Sequence, residues 1–303
     1  MSTDKQIAQR PKFSVAINTS MYQKLIRNTL GDPDRAKRFV AAITSAVAVT
    51  PALQDCEAGS ILAGALLGES LNLSPSPQLG HYYLVPFKQK AKYQNGQLIQ
   101  PECVKATFVP GYKGYIQLAL RSGQYRKLNV LEIKEGEMLG FDPLNEVIEC
   151  KLIDDFDIRE SAPTIGYYAM FEYLNGFRKA IFWSKEKMLS HADKYSSAFS
   201  KSAYKKLQAG EIPNQDLWKY SSFWYKDFDN MAKKTMIRHL LSRWGIMSIE
   251  LQQAFEADSQ VVDFGSDGEI VVPPGNEIVV GQSAEIMQPE ASDAVAAVDL
   301  DSL

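Results

Sequence analysis

Apolar positions recur at helical spacing over roughly residues 18–30 and 34–48, and the Gly31-Asp32-Pro33 breaker separates the two runs. A third helical stretch, roughly 57–71, is rich in Ala, Gly and Leu, a composition that implies close packing against a neighbour. At Gly80 the period changes to two. Tyr83, Val85 and Phe87 alternate with Tyr82, Leu84 and Pro86, and Cys103–Val109 is the next strand. Asn95-Gly96 marks a turn between them. Lys88, Lys90 and Lys92 alternate on one arm of this hairpin and project on one face, either as a basic binding surface or as edge-strand protection.

Pro110-Gly111 opens a helix over GYKGYIQLALRSG, with Gly123 as its stop. Tyr112, Tyr115, Ile116 and Ala119 form its buried side, while Lys113, Gln117 and Arg121 fall at i, i+4 and i+8 on another face. Strands follow at about 125–135 and 146–153. A hairpin over Thr164–Trp183 turns at Asn175-Gly176, and Ser184 caps a helix over 185–194. Asp227–Trp244 reads as one helix. Met236, Ile237, Leu240, Leu241 and Trp244 share its apolar side, and Lys234 and Arg238 make a cationic stripe on a different face. A short helix over 248–257 ends the folded part. The expected organisation is therefore a polar, disordered segment 1–14, a body over 15–257 and a flexible acidic tail over 258–303.

A chain of 303 residues with 45% hydrophobic content can bury a sizeable core, as one large domain or two small ones. The longest apolar run, Phe39–Val49, is interrupted by Thr44 and Ser45 and is too short to span a bilayer, and the polar N-terminus has no leader pattern. Cys56, Cys103 and Cys150 are far apart, which argues against a disulfide framework or a zinc site and fits a reducing cytoplasm. The net charge of −3 conceals an asymmetry. Residues 245–303 hold 12 acidic residues and no Lys or Arg, which leaves 33 basic against 24 acidic residues in 1–244. A basic body with an acidic tail suits a polyanion-binding protein, the alternative being a solvated surface with a passive tail.

Residues 195–226 interleave cations with rings, including Tyr204, Lys205, Lys206, Trp218, Lys219, Tyr220, Phe223, Trp224 and Tyr225. Lysine can neutralise phosphate while a ring stacks on any base. The alternative is that the rings are core, which is favoured for Trp218 and Trp224. Gly64 and Gly68 in GALLGES are not followed by the Lys-Ser/Thr of a phosphate-binding loop, no G-x-S-x-G occurs, and His81, His191 and His239 are dispersed. Asp142-Pro143 followed by Glu149-Cys150-Lys151 is a weak match to the carboxylate-and-lysine pattern of metal-dependent nucleases.

GHYYLVPF, GYKGYIQLALRSGQ and FWYKDFDNMAKKTMIRHLLSRW, in that order and spacing, resemble the RecT family of phage single-strand annealing proteins, over about Pro51–Glu256. The resemblance implies an α+β fold of antiparallel sheet and hairpins packed with helices, of the RecT/Redβ type and distantly related to Rad52. It implies an ATP-independent recombinase without a cofactor, its DNA binding open to modulation by Mg²⁺. Such a protein coats single-stranded DNA, anneals it through a duplex intermediate and assembles as a ring or helical filament. It works in the bacterial cytoplasm beside a 5′→3′ exonuclease and the host single-strand-binding protein. Carried over by residue, Lys113 and Arg121 match the basic positions of the second motif, and Lys233, Lys234 and Arg238 those of the third. Lys233 lies nearer the apolar face and has Asp229 as an alternative partner. Leu120 stands where a second arginine is expected, and 195–217 is longer than usual. The expected DNA-binding set is Lys113, Arg121, Lys233, Lys234 and Arg238 with Lys88, Lys90, Lys92, Lys105, Lys205 and Lys206. The hairpin arm and the two helical stripes would line one groove, and the tail would bind a partner or compete with DNA. The competing classes are a nuclease using Asp142, Glu149 and Lys151, and a DNA-binding scaffold without annealing activity.

Overall fold

The computed structural model describes residues 12–94, 97–265 and 269–272, except for the side chains of Lys92, Gln94 and Gln100. The Asn95-Gly96 turn, the projection of Lys92, residues 1–11 of the segment 1–14 expected to be disordered, and the tail from 273 onward lie outside the described residues; the end of that segment is corrected, because Phe13 is buried and begins a helix.

The chain begins with α1 (Phe13–Ala16), α2 (Ser20–Leu30) and α3 (Pro33–Ala48). The breaker acts as its chemistry dictates: Pro33 takes the first turn of α3, and the Asp32 side chain accepts from the Asp34 N–H at 2.9 Å. A 3₁₀ turn at Pro51–Asp55 leads into α4 (Ala58–Ser70), in which every residue from Ser60 to Gly68 is buried. A helix that is apolar all round belongs inside a core. Its glycines explain how it gets there. A Cβ at Gly64 would come within 2.8 Å of the Leu84 side chain, and one at Gly68 would fall inside the Tyr82 ring. The glycine face thus lets α4 sit directly on the strand that carries both residues.

That strand is β1 (Tyr82–Gln89). After the short β2 (Lys92–Gln94) and β3 (Gln97–Gln100), β4 (Cys103–Pro110) pairs antiparallel with β1, from Tyr82↔Pro110 to Gln89↔Cys103. Helix α5 (Tyr112–Arg121) follows and stops before Gly123, whose φ of 67° is left-handed. A second antiparallel sheet, in the order β5–β8–β9, is built from β5 (Tyr125–Lys134), β8 (Thr164–Tyr173) and β9 (Arg178–Ser184). Between its first two strands lie the hairpin β6 (Met138–Asp142)–β7 (Val147–Cys150) and α6 (Phe156–Ser161). Ser184 caps α7 (Lys185–Tyr195) by accepting from the Lys187 N–H at 3.2 Å. Then come α8 (Lys201–Gln208), a 3₁₀ segment at Asn214–Tyr220, α9 (Phe223–Lys226), α10 (Phe228–Trp244) and α11 (Ile249–Ala257). The protein is α+β.

Helix α10 packs against α5 on one side and against β5, β8 and β9 on the other, so it joins the two halves. Met236, Ile237, Leu240 and Leu241 are fully buried, as their spacing predicts. Each such side chain contributes roughly 1.5–3 kcal/mol of burial. Trp244 is only partly buried, at the margin of this core.

The body does not end at 257. Asp258 is buried, β10 (Gln260–Val261) adds a third strand to β1–β4, and β11 (Asp263–Phe264) pairs with β12 (Ile270–Val271). Val262 is fully buried between them. The boundary expected at 257/258 is corrected accordingly. Among the described residues, no helix is long and apolar enough to cross a membrane.

Candidate nucleic-acid interface

The cationic stripe on α10 is not open. Lys234 and Arg238 are 6% and 7% exposed, and both point at the buried carboxylate of Asp258. Lys234 Nζ donates to Asp258 Oδ1 at 2.7 Å, and Arg238 Nη1 donates to Oδ2. The Tyr115 hydroxyl donates to Oδ2 at 2.8 Å, and the Ser259 hydroxyl to Oδ1 at 3.1 Å. The guanidinium also lies 5.5 Å from the Phe255 ring centroid. Burial alone would raise the Asp258 carboxyl, but Lys234, Arg238 and the hydroxyl donors outweigh it and hold the group below the usual carboxylate range. The expectation of an exposed Lys234/Arg238 stripe is corrected. The chain returns after α11 and covers that face with a carboxylate, so the two cations tie α10, α5 and residue 258 together.

Several other expected contacts have partners within the protein, some inside the fold and some, as for Lys88 and Lys205, at the surface. Arg121 extends its guanidinium to the carbonyls of Leu71 and Asn72 at 2.6 and 2.7 Å, satisfying acceptors left open at the end of α4. Lys233 pairs with Glu132 at 3.3 Å and lies 5.3 Å from the Tyr112 ring centroid. Asp229, its expected alternative partner, instead accepts from the Tyr167 hydroxyl at 2.5 Å. Lys105 contacts Asp263 and lies 3.8 Å from Glu57. Lys88 pairs with Glu102 at 2.6 Å, and Lys205 is 3.7 Å from Glu186. Three of the eleven, Lys90, Lys113 and Lys206, are exposed and make no ion pair among the described residues.

The rings of 195–226, with Phe228 beyond them, divide. Phe199, Tyr204, Trp224 and Phe228 are buried and pack on one another, with Trp224–Phe228 centroids 5.2 Å apart and Tyr204–Phe228 centroids 5.0 Å apart. Trp224 is core, as expected. Trp218 is not: it is 63% exposed, with Lys219 Nζ 5.7 Å from its ring centroid.

The carboxylates of the nuclease pattern lie on the β6–β7 hairpin. Asp142 closes its turn, accepting from the N–H groups of Leu144 and Asn145 at 2.9 and 3.3 Å and from the Asn145 amide at 2.6 Å. These bonds hold its carboxyl below the ordinary range. Among the described residues, no group of three or more His, Cys, Asp or Glu side chains is arranged to hold a metal ion.

What the motifs share is a cavity of about 210 Å³ between α5, α9, α10 and the loop before β1. The first motif supplies Gly80 and Tyr83, the second Gly111, Tyr112 and Lys113, and the third Phe223, Asp227, Asn230, Met231 and Lys234. Close backbone approach makes this convergence possible. A Cβ at Gly111 would collide with the Gly80 carbonyl, and one at Gly114 with the His81 carbonyl. Glycine at both positions lets the start of α5 rest on the loop that positions Tyr83. The Tyr83 and Phe223 rings stand 6.1 Å apart at 39°. Burial, then Asp227 and Tyr112, raise the Tyr83 phenol, so it remains a neutral donor. Asn230 Nδ2 donates to Asp227 Oδ2 at 2.8 Å. Reading the motifs by helical spacing placed Tyr112 on the buried side and missed the walls. The signal available was their common content, an aromatic or amide residue beside each glycine or lysine.

The site is an aromatic-walled cavity in an α+β body, on which three ordered motifs close with an exposed lysine beside them. A RecT family model matches residues 37–270, and the chain belongs to the RecT family. It is similar to the uncharacterized protein YqaK of Bacillus subtilis (strain 168), with 38% identity over 220 residues, 73% of this chain and 63% of YqaK. It is also similar to protein RecT of Escherichia coli (strain K12), with 29% identity over 226 residues, 74% of this chain and 72% of that protein. The match thus spans somewhat under two thirds of the length of YqaK.

Proposed function

We propose that this chain binds single-stranded DNA through its phosphate backbone and anneals complementary strands for recombination, without nucleotide hydrolysis and without a resident cofactor. The observation that carries this reading is the convergence of all three family motifs on one cavity that has among its lining residues an exposed lysine, Lys113, with no ion pair among the described residues. In this reading Lys113 makes the phosphate contact at the cavity, and Lys90 and Lys206 lie in open positions to extend it. Lys234, Arg238 and Arg121 act by fixing the helices that form the cavity. Base pairing supplies the driving force, since stacking averages about 1.4 kcal/mol per step in DNA. The protein's task is to offset repulsion between strands and to hold each one extended. The working form is a homo-oligomer, a ring or filament, acting in the bacterial cytoplasm with a 5′→3′ exonuclease and a host single-strand-binding protein, and Mg²⁺ tunes DNA affinity.

The test is a mixture of the protein with labelled complementary oligonucleotides, with and without Mg²⁺ or ATP. Annealing in the absence of ATP supports the proposal. Loss of strand in Mg²⁺ would instead support the nuclease, and a mobility shift without annealing would support a scaffold. Affinity for a single strand should fall with salt at a logarithmic slope of about −0.7 per neutralised phosphate.

A further inference from the structure

The motif cavity has a chemistry that phosphate binding does not use. Its volume of about 210 Å³ leaves room for one planar heterocycle. Tyr83, Tyr112 and Phe223 give it aromatic walls. Its polar residues include Asp227 and Asn230, and the hydrogen bond between them fixes the amide orientation. A carboxylate can only accept, so Asn230 Nδ2 must point at Asp227, which leaves Asn230 Oδ1 and the second Asp227 oxygen as acceptors. Acceptors suit the exocyclic amines and ring N–H groups of nucleobases. The same carboxylate repels a phosphate. Anion and heterocycle are therefore sorted: the phosphate stays by Lys113, which is exposed, while a neutral ring enters.

We propose that this cavity holds one unstacked base of the bound strand in each protomer, walled by Tyr83, Tyr112 and Phe223 and met at its edge by Asp227 and Asn230. The assignment rests on the single-stranded DNA reading above. A base withdrawn from the stack in each protomer fixes the strand's position along the protein at regular intervals, while the intervening bases remain free to pair. Sequence tolerance is retained, because every base has a face to stack and an N–H to donate.

The full chain is irradiated on single-stranded DNA carrying a photoreactive base analogue, 5-iododeoxyuridine, and crosslinked peptides are mapped. Crosslinks to Tyr83, Tyr112 or Phe223 are expected, and they should persist in an excess of free deoxynucleoside monophosphate. A second arm compares normal strands with strands in which bases are replaced by abasic sites. Loss of the inserted base should weaken wild-type binding about tenfold. Asn230 is exposed, so Asn230→Leu should fold, show a smaller abasic penalty and keep the wild-type salt slope. Crosslinks that map only elsewhere, or abasic strands that bind as well as normal ones, overturn the base pocket while leaving DNA binding intact. Pocket labelling that free mononucleotide removes without displacing the strand overturns the assignment to a strand base. Failure of both normal and abasic strands to bind in a salt-dependent way overturns the DNA reading itself.

Discussion

Replacing Asp258 by Asn removes the charge on which two buried cations depend. Lys234 and Arg238 are each more than nine-tenths buried, and the Asp258 side chain is 1% exposed. Asparagine keeps the shape but leaves two cations facing a neutral amide, whose NH₂ cannot accept from either. Removing one partner of a buried ion pair costs about 3–5 kcal/mol. At roughly 2–4 °C per kcal/mol for a body of this size, the melting temperature should fall by about 6–20 °C. Urea unfolding followed by tryptophan fluorescence measures the loss, because Trp224 is 1% exposed and Trp183 is 8% exposed. The denaturant slope should stay constant if the folded state is otherwise unchanged. Lys234→Met should cost less than Asp258→Asn, since it leaves Arg238 and Asp258 paired one to one. The acid dependence has a definite sign. The Asp258 carboxyl is held below its ordinary value, so its contribution is complete above about pH 4 and is lost as pH falls further. An Asp258→Asn variant within about 1 kcal/mol of wild type, or one less destabilised than Lys234→Met, would show that the carboxylate does not hold the two cations.

Gly114→Ala should destabilise by about 1–3 kcal/mol or more, because its Cβ would meet the His81 backbone rather than a movable side chain; thermal denaturation measures it. Arg121→Ala should cost about 1–2 kcal/mol through the lost carbonyl bonds yet leave the salt slope of DNA binding unchanged, as paired melting and titration experiments would show. His191 and His239 flank the Trp183 ring at 5.2 and 4.8 Å, and burial, then neighbouring cations, push each down to about 4. Their neutral forms are favoured in the folded state, so stability should be full above about pH 6.5 and decline as pH falls toward 4. His239→Gln should flatten that decline in a melting series, and a wild-type series with no slope in this range contradicts it.

The local code was readable wherever a single segment determined the outcome. Asp32-Pro33 and Ser184 start helices because their side chains and backbone geometry act within three residues. The alternation after Gly80 gave β1 because one face of that strand lies on α4. The α10 periodicity was right about Met236, Ile237, Leu240 and Leu241, but it took the Lys234/Arg238 face to be open. The error is physical: a helix between two layers has no free side, and Asp258, far along the chain, supplied the missing counter-charge. The strand that brings Asp258 back is two residues long, with no periodicity to detect. The cavity was hidden for a related reason. Its walls come from three motifs, and no one motif shows that Tyr83, Tyr112 and Phe223 meet. Of the expected DNA contacts, Lys113 is exposed at the cavity, while Lys234, Arg238 and Arg121 are engaged by groups that spacing cannot reveal.

A comparison of wild type with Lys113→Gln shows whether the cavity with Lys113 is where this chain engages DNA backbone for annealing. Annealing of labelled complementary strands would be followed in ATP-free buffer across a salt series. Wild type should anneal the strands without ATP. The variant should anneal more slowly, with its single-strand binding slope reduced by about 0.7 and its thermal stability unchanged. Equal annealing and equal slopes for the two proteins would contradict it.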